Sequence, residues 1–137
     1  MSEYSKKVRS ALDVAVTAIG GQPRAGQIEM AEAVANALSD RHHLLVQAGT
    51  GTGKSLAYLV PALVHGKKVL VATATLALQR QLIERDLPKI KAALDKELKR
   101  DISFAIYKGV GNYICLQKMN NAANDPEGEM ILEISSL

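Results

Sequence analysis

The sequence predicts an α/β fold, a parallel sheet flanked by helices, and three observations carry that prediction. A short apolar segment, His43-Leu44-Leu45-Val46, runs into a glycine-rich loop and then into the apolar stretch Leu56-Ala57-Tyr58-Leu59-Val60. A second apolar segment, Val69-Leu70-Val71-Ala72-Thr73, follows one helix later. A strand, helix, strand unit of that length implies a right-handed parallel crossover. The third segment, Ile102 to Tyr107, alternates apolar and polar residues as a strand does. Three strands are too few to close a sheet of this kind, so an open apolar edge is expected.

The elements follow in order. Val8, Leu12, Val16 and Ile19 recur every three or four residues, which predicts a packing helix over 5–19 that ends at Gly20-Gly21. Gln22 to Gln27 is a turn leading into a helix over about 26–39, with Ile28, Ala31, Val34 and Leu38 as its apolar stripe. The helix after the glycine loop reaches His65, contains Pro61 and stops at Gly66. Thr75 is placed to cap a helix running from Leu76 to about Asp86. Pro88 opens another, over 88–99, whose outer face carries Lys89, Lys91, Lys96, Lys99 and Arg100. Such a run reads first as a solvated face. Lys108 to Gly111 is a loop, and Asn112 can cap a helix through Asn120. Asn124 to Gly128 is turn chemistry, and Glu129 to Leu137 reads as the start of a further helix.

Composition sets outer bounds. The chain has 137 residues, 47% hydrophobic and 23% charged, as a soluble globular domain would. No apolar run reaches the length of a membrane span and no signal peptide is visible. The single cysteine excludes an internal disulfide, which fits a reducing cytoplasm as the expected location. Net charge is +3, compatible with nucleic acid without implying it. Only 4% of residues are aromatic, which argues against a broad base-stacking platform. His42, His43 and His65 stand at no metal-ligand spacing from a cysteine or carboxylate.

The loop itself is Gln47-Ala48-Gly49-Thr50-Gly51-Thr52-Gly53-Lys54-Ser55. It meets the phosphate-loop pattern G-x-x-x-x-G-K-[ST] with Ala48 in the first glycine place. Its glycines let the backbone approach a ligand closely, and successive N–H groups can turn toward phosphate oxygens. The helix beginning beside Gly53 adds unpaired donors and a positive dipole end. Lys54 would reach the β- and γ-phosphates as the catalytic cation, and the Ser55 hydroxyl would bind Mg²⁺. Ala48 to Ser55 is therefore the expected triphosphate site. Upstream, the Gln27 amide could read adenine through its donor and acceptor, or could simply be a solvated helix glutamine. Thr73, Thr75 and Gln79 can donate hydrogen bonds to a nucleic-acid phosphate, although Thr75 equally serves as a plain helix cap.

Four separated stretches together resemble one family. Arg24-x-x-Gln27-x-x-Met30 is similar to the adenine-recognition element of the DinG-type and XPD-like DNA helicases of superfamily two. The glycine loop is the second stretch, with Gln47 where many members have Glu. Val71-Ala72-Thr73-Ala74-Thr75-Leu76-Ala77-Leu78-Gln79-x-Gln81-Leu82 resembles the segment that contacts single-stranded DNA. Tyr107-Lys108-Gly109-Val110-Gly111-Asn112-Tyr113-Ile114-Cys115-Leu116 resembles the family's Lys-Gly-Arg-x-Asn-Tyr-Leu-Cys segment, with Val110 in place of the Arg.

The resemblance implies the first part of a RecA-like P-loop NTPase domain over 22–107. The N-terminal helix segment, 1–21, precedes it, and the resemblance implies the start of an iron–sulfur-type insertion over 108–137. It implies ATP and Mg²⁺ as cofactors, Arg24 and Gln27 at adenine, and Thr73, Thr75, Gln79 and Lys108 on single-stranded or forked DNA. Cys115 would be the first ligand of a [4Fe-4S] cluster, but such a cluster takes four thiolates, so a longer chain would be needed and Cys115 alone is a free thiol. Hydrolysis would need a carboxylate pair on a later strand, and no Asp-Glu pair occurs in this sequence. The expectation is an N-terminal portion of a helicase that binds ATP, with the remaining lobe elsewhere in the full-length chain. The alternative is a non-catalytic module for nucleotide and single-stranded DNA.

Overall fold

A computed structural model of the chain describes residues 3–124. The chain divides into two units between Ala105 and Ile106. The first holds α1 (Glu3–Ala18), α2 (Ala25–Asp40), α3 (Lys54–His65), α4 (Leu76–Gln81) and α5 (Leu87–Leu98). The second holds α6 (Leu116–Ala123), preceded by a 3₁₀ turn at Val110–Asn112. The helix start expected from Glu129 to Leu137 and the turn at Asp125 to Gly128 lie outside the described residues.

The α/β expectation is overturned. Among the described residues there is no β-strand, and hence no parallel sheet and no crossover. A strand satisfies its backbone groups only through a neighbouring segment, whereas a helix satisfies them within itself. Residues 43–46, 69–73 and 102–107 form no ladder with one another, so the apolar side chains meant for a sheet stand open, Ile102 apart. Leu45 is 99% exposed and Leu70 87%. The helices form because they need no such partner.

The core of the first unit is therefore helical and α1 is its hub, touching α2, α3 and α5. Val8, Ala11, Leu12, Ala15 and Val16 are buried along one stripe of α1. They meet Ala31 and Ala35 of α2, Leu56, Ala57, Leu59 and Val60 of α3, and Leu87, Ile90 and Leu94 of α5. The alanines at the helix crossings allow close approach of the axes. The Tyr4 hydroxyl donates to the Pro61 carbonyl at 3.1 Å, tying the start of α1 to the middle of α3. Partial burial raises the phenol above its ordinary pKa.

Two helix boundaries differ from expectation. The helices expected over 76–86 and 88–99 are joined by a π-helical turn at Leu82–Asp86, where the Leu87 N–H bonds the Leu82 carbonyl. Pro88 has no N–H to continue the ordinary ladder, and a wider turn next to it absorbs the mismatch. Asn112 does not cap a helix: it ends the 3₁₀ turn, and Cys115 is the residue before α6.

At the end of α5 three charged side chains hold the outgoing chain. The Lys91 ammonium donates to Asp95 at 2.8 Å and also to Asp101, while Asp95 accepts the Ile102 N–H at 2.8 Å. This pins Ile102 into the core at 4% exposure. The Lys91 hydrogen bond, and then that from Ile102, hold the Asp95 carboxyl below its ordinary pKa. Asp101 and Asp95 raise Lys91.

Two predictions follow from this packing. Leu12→Ala lowers the free energy of unfolding by about 2–5 kcal/mol, whereas Leu45→Ser changes it by less than about 0.5 kcal/mol; chemical denaturation reads both, and a large loss at Leu45 would restore the sheet. Because the folded pKa of Asp95 is depressed, its contribution is present at neutral pH and lost as pH falls through that depressed value. That of Lys91 is lost only as pH rises through its raised value. The denaturation midpoint of the wild type should therefore fall more between pH 7 and pH 3 than that of Asp95→Asn, which keeps an acceptor for Ile102 but no charge.

Candidate phosphate-binding site

The glycine loop leads directly into α3, as the residue pattern requires. Gly53 is the residue before the helix, with φ +78° and ψ 29°, and its carbonyl accepts the Ala57 N–H at 3.2 Å to close the first turn. Gly51 also has φ +78°. Both positions lie in the left-handed region where glycine alone is unstrained. The N–H groups at the start of α3 have no intrahelical acceptors, so they and the helix dipole favour an anion there.

The side chains around the loop point their donors at its carbonyls. The Lys54 ammonium donates to the Ala48 carbonyl at 3.0 Å and to that of Gly49 at 2.6 Å. The Thr52 hydroxyl donates to Gly49 at 3.0 Å. From the first turn of α2, the Gln27 amide donates to the Gly53 carbonyl at 3.0 Å and the Arg24 guanidinium donates to that of Gly51. Gln27 is only 4% exposed, so it is not the solvated glutamine that stood as one of its two readings. Thr50 is exposed at the loop's tip, and Ser55 is half-buried in the first turn of α3. Arg24, Gln27 and the segment from Ala48 to Ser55 are thus brought into one locality.

Sequence reasoning found these residues but missed the clasp of α2 on the loop. The signal was the spacing of Arg24 and Gln27, three residues apart and hence on one side of a helix start.

The remaining candidates are held by local bonds. The Thr75 hydroxyl accepts the Leu78 N–H at 3.2 Å, the expected cap of α4, and the Thr73 hydroxyl donates to the Thr75 carbonyl at 3.2 Å. Gln79 is half-buried on α4. Lys108 and Cys115 belong to the second unit. There the Lys108 N–H donates to the Tyr113 hydroxyl at 3.1 Å. Cys115 is exposed at the start of α6, and the N–H groups of Lys118 and then Gln117 lower its thiol below the ordinary pKa.

The residues fit a triphosphate, with a lysine, a threonine hydroxyl and a helix start gathered on one loop. Ser55 can offer Mg²⁺ one hard oxygen, and a phosphate-bound Mg²⁺ needs little more from protein. They do not fit an iron–sulfur cluster, since Cys115 is the one cysteine of the sequence. No group of three metal-ligating side chains occurs among the described residues. An apolar groove of about 360 Å³, lined by Met30, Val34, Leu38, Leu44, Val46 and Tyr58, shares no residue with the loop. Among the described residues, no helix is long and apolar enough to cross a membrane.

Comparison with known proteins agrees with the loop. The chain is 52% identical over 136 residues to a protein of Mycobacterium tuberculosis named ATP-dependent helicase DinG, covering 94% of this chain and 20% of that protein. It is 50% identical over 101 residues to ATP-dependent DNA helicase YoaA of Haemophilus influenzae, covering 74% and 15%. A protein of Bacillus subtilis named 3'-5' exonuclease DinG is 33% identical over 112 residues, covering 79% and 12%. The chain thus spans a fifth or less of the length of these relatives. No solved structure matches it. The family model for DEAD/DEAH box helicases matches residues 26–123, from the first turn of α2 to the end of α6, and the chain belongs to that family.

Proposed function

We propose that the chain is the nucleotide-binding beginning of an ATP-dependent DNA helicase of the DinG and YoaA type. One observation carries the reading: Lys54 lies folded over a glycine loop that opens directly onto the start of α3. Among the described residues no carboxylate pairs with this ammonium, and a triphosphate offers it a stronger acceptor than two carbonyls in the same place. Ala48 to Ser55 bind the phosphates, Lys54 reaches the outer two, and the Ser55 hydroxyl gives Mg²⁺ one ligand. The metal, when bound, offsets the charge that builds on the phosphates. Arg24 and Gln27 complete the site on the α2 side. Thr73, Thr75, Gln79 and Lys108 are the candidates for contact with the backbone of single-stranded or forked DNA.

The domain organisation goes with this reading. Residues 22–107 begin the ATP-binding domain and 108–137 begin an insertion. In the full-length protein, later residues would supply the carboxylates that orient water and a second lobe. The names of these relatives, two helicases and one exonuclease, support a nucleic-acid substrate for the whole protein.

A second reading is favoured by the sequence itself. No Asp-Glu pair is present to activate water, so this chain alone binds nucleotide, and single-stranded DNA weakly, without turnover.

Titration of the chain with labelled ATP, paired with an assay of phosphate release in the presence of single-stranded DNA, tests both. The expected result is binding that Lys54→Ala weakens by about ten- to a hundred-fold, with no release above background. DNA-stimulated hydrolysis would contradict the binding-only state of this chain. Binding indifferent to Lys54→Ala would contradict the assignment of the loop. The lowered Cys115 thiol gives a separate expectation: below neutral pH iodoacetamide should label Cys115 faster than it labels a free cysteine at the same pH, because thiolate is the reacting form.

A further inference from the structure

We infer that the ends of α3 and α5 together form a second surface for the phosphate backbone of DNA, at the far end of α3 from the phosphate loop. The charges on this surface carry the preference for a polyanion. That the polyanion is DNA rests on the helicase reading of the chain.

The geometry begins where the two helices stop. α3 ends at His65, and Gly66 turns the chain out of it at φ +81° and ψ 2°, followed at once by Lys67 and Lys68. α5 ends at Leu98, and Lys99 turns the chain out at φ 50° and ψ 39°, followed by Arg100. A glycine holds such a left-handed position without strain, yet at the end of α5 a lysine stands there. The two ends meet. A Cβ on Gly66 would collide with the Arg100 guanidinium and lie 3.3 Å from its Cζ. Four cations from two separate helix ends are thus gathered in one place. Lys67, Lys68 and Lys99 are exposed, and Arg100 is half-buried.

The acids around them are already engaged. Lys91 holds Asp95 and Asp101, and Glu97 accepts the Ser10 hydroxyl at 3.2 Å. The start of α1 lies beside the end of α3, with the Tyr4 and His65 rings 6.2 Å apart, and there Glu3 pairs with Lys7 at 3.5 Å. Among the described residues, no carboxylate pairs with Lys67, Lys68, Lys99 or Arg100, and none of the four side chains makes a hydrogen bond. A helix dipole favours a cation within its last turn. All four cations follow the last turn, and none bonds a carbonyl there, so the dipole does not account for the cluster.

Like charges gathered this closely repel, and an anion with regularly spaced charges relieves the repulsion. A nucleic-acid backbone is such an anion and needs no pocket. An acidic peptide would gain from an apolar anchor beside the charges, but the apolar groove at Met30 and Tyr58 includes none of the four residues. The surface also leaves the nucleotide alone. α3 has 12 residues, so its end stands about 18 Å from Lys54. Contacts of this kind hold a strand without reading its sequence.

Fluorescence anisotropy of a labelled oligothymidylate and of a labelled duplex, titrated with the chain without nucleotide over a range of salt, tests the surface. The expected result is that both bind at low salt, and that Lys67→Ala with Lys68→Ala weakens binding about ten-fold and flattens the slope of log affinity against log salt by about two. Lys99→Gly, which suits the left-handed turn, should weaken binding about three-fold. Lys89→Ala removes the same charge about 15 Å away at the start of α5 and should change binding by less than about 1.5-fold. All four lysines are exposed, so the variants keep the fold, which thermal melts check. Equal effects of Lys99→Gly and Lys89→Ala would overturn the surface in favour of net charge alone. Polyglutamate that displaces DNA at equal charge concentration would overturn DNA as the partner in favour of an acidic protein. Patch variants that bind DNA as the wild type does, in a chain whose ATP binding still depends on Lys54, would overturn this inference alone. DNA binding through the patch in a chain that binds no ATP would support the surface and overturn the nucleotide reading.

Discussion

The Gly53 carbonyl is the point on which the site depends. It accepts the Ala57 N–H that starts α3 and the Gln27 amide that ties α3 to α2. Residue 53 stands at φ +78°, and a Cβ there would lie 2.9 Å from the Gln27 amide carbon. Any larger residue would strain the backbone and displace Gln27 together. One peptide group thus joins the helix that presents the donors, the loop that carries the lysine and the helix that holds the loop in place. A side chain that is 4% exposed and bonded to that carbonyl is costly to leave unpaired, which makes the link rigid as well as specific.

Beneath the site, α2 and α3 are held in register by the helix that precedes them. The buried stripe of α1 packs on both and on α5, so the loop's two supports share one apolar layer. The other side of the unit is different. Segment 43–46 leads toward the loop and segment 69–73 follows α3, and neither is laddered, with Leu45 and Leu70 almost wholly exposed. Positioning of the phosphate loop therefore rests on helix packing and on side-chain bonds from α2, not on a ladder beneath it.

Local features were readable in the sequence, and non-local ones were not. The stripe of α1, the stop at Gly66, the cap at Thr75 and the meeting of loop and helix at Lys54 each depend on residues within one or two turns of each other. The apolar runs at 43–46 and 69–73 and the alternation at 102–107 signalled strands because such patterns report a preference for a sheet surface, while a strand exists only where another segment lies beside it. Pro88 looked like a break because the ring removes one bond, and the neighbouring π turn that absorbs the loss depends on its surroundings. The duty of Gln27 was ambiguous for a related reason. An amide can pair with a base or with a carbonyl, and its bond to the Gly53 carbonyl at 3.0 Å depends on how α2 packs beside the loop.

A crystal structure of this chain with Mg²⁺ and a non-hydrolysable ATP analogue tests the central claim most directly. The clasp predicts that the Gln27 amide stays near its present 3.0 Å from the Gly53 carbonyl while the Lys54 ammonium leaves Ala48 and Gly49 for the phosphates. A structure in which the nucleotide lies elsewhere and the Lys54 ammonium stays on Ala48 and Gly49 would contradict it.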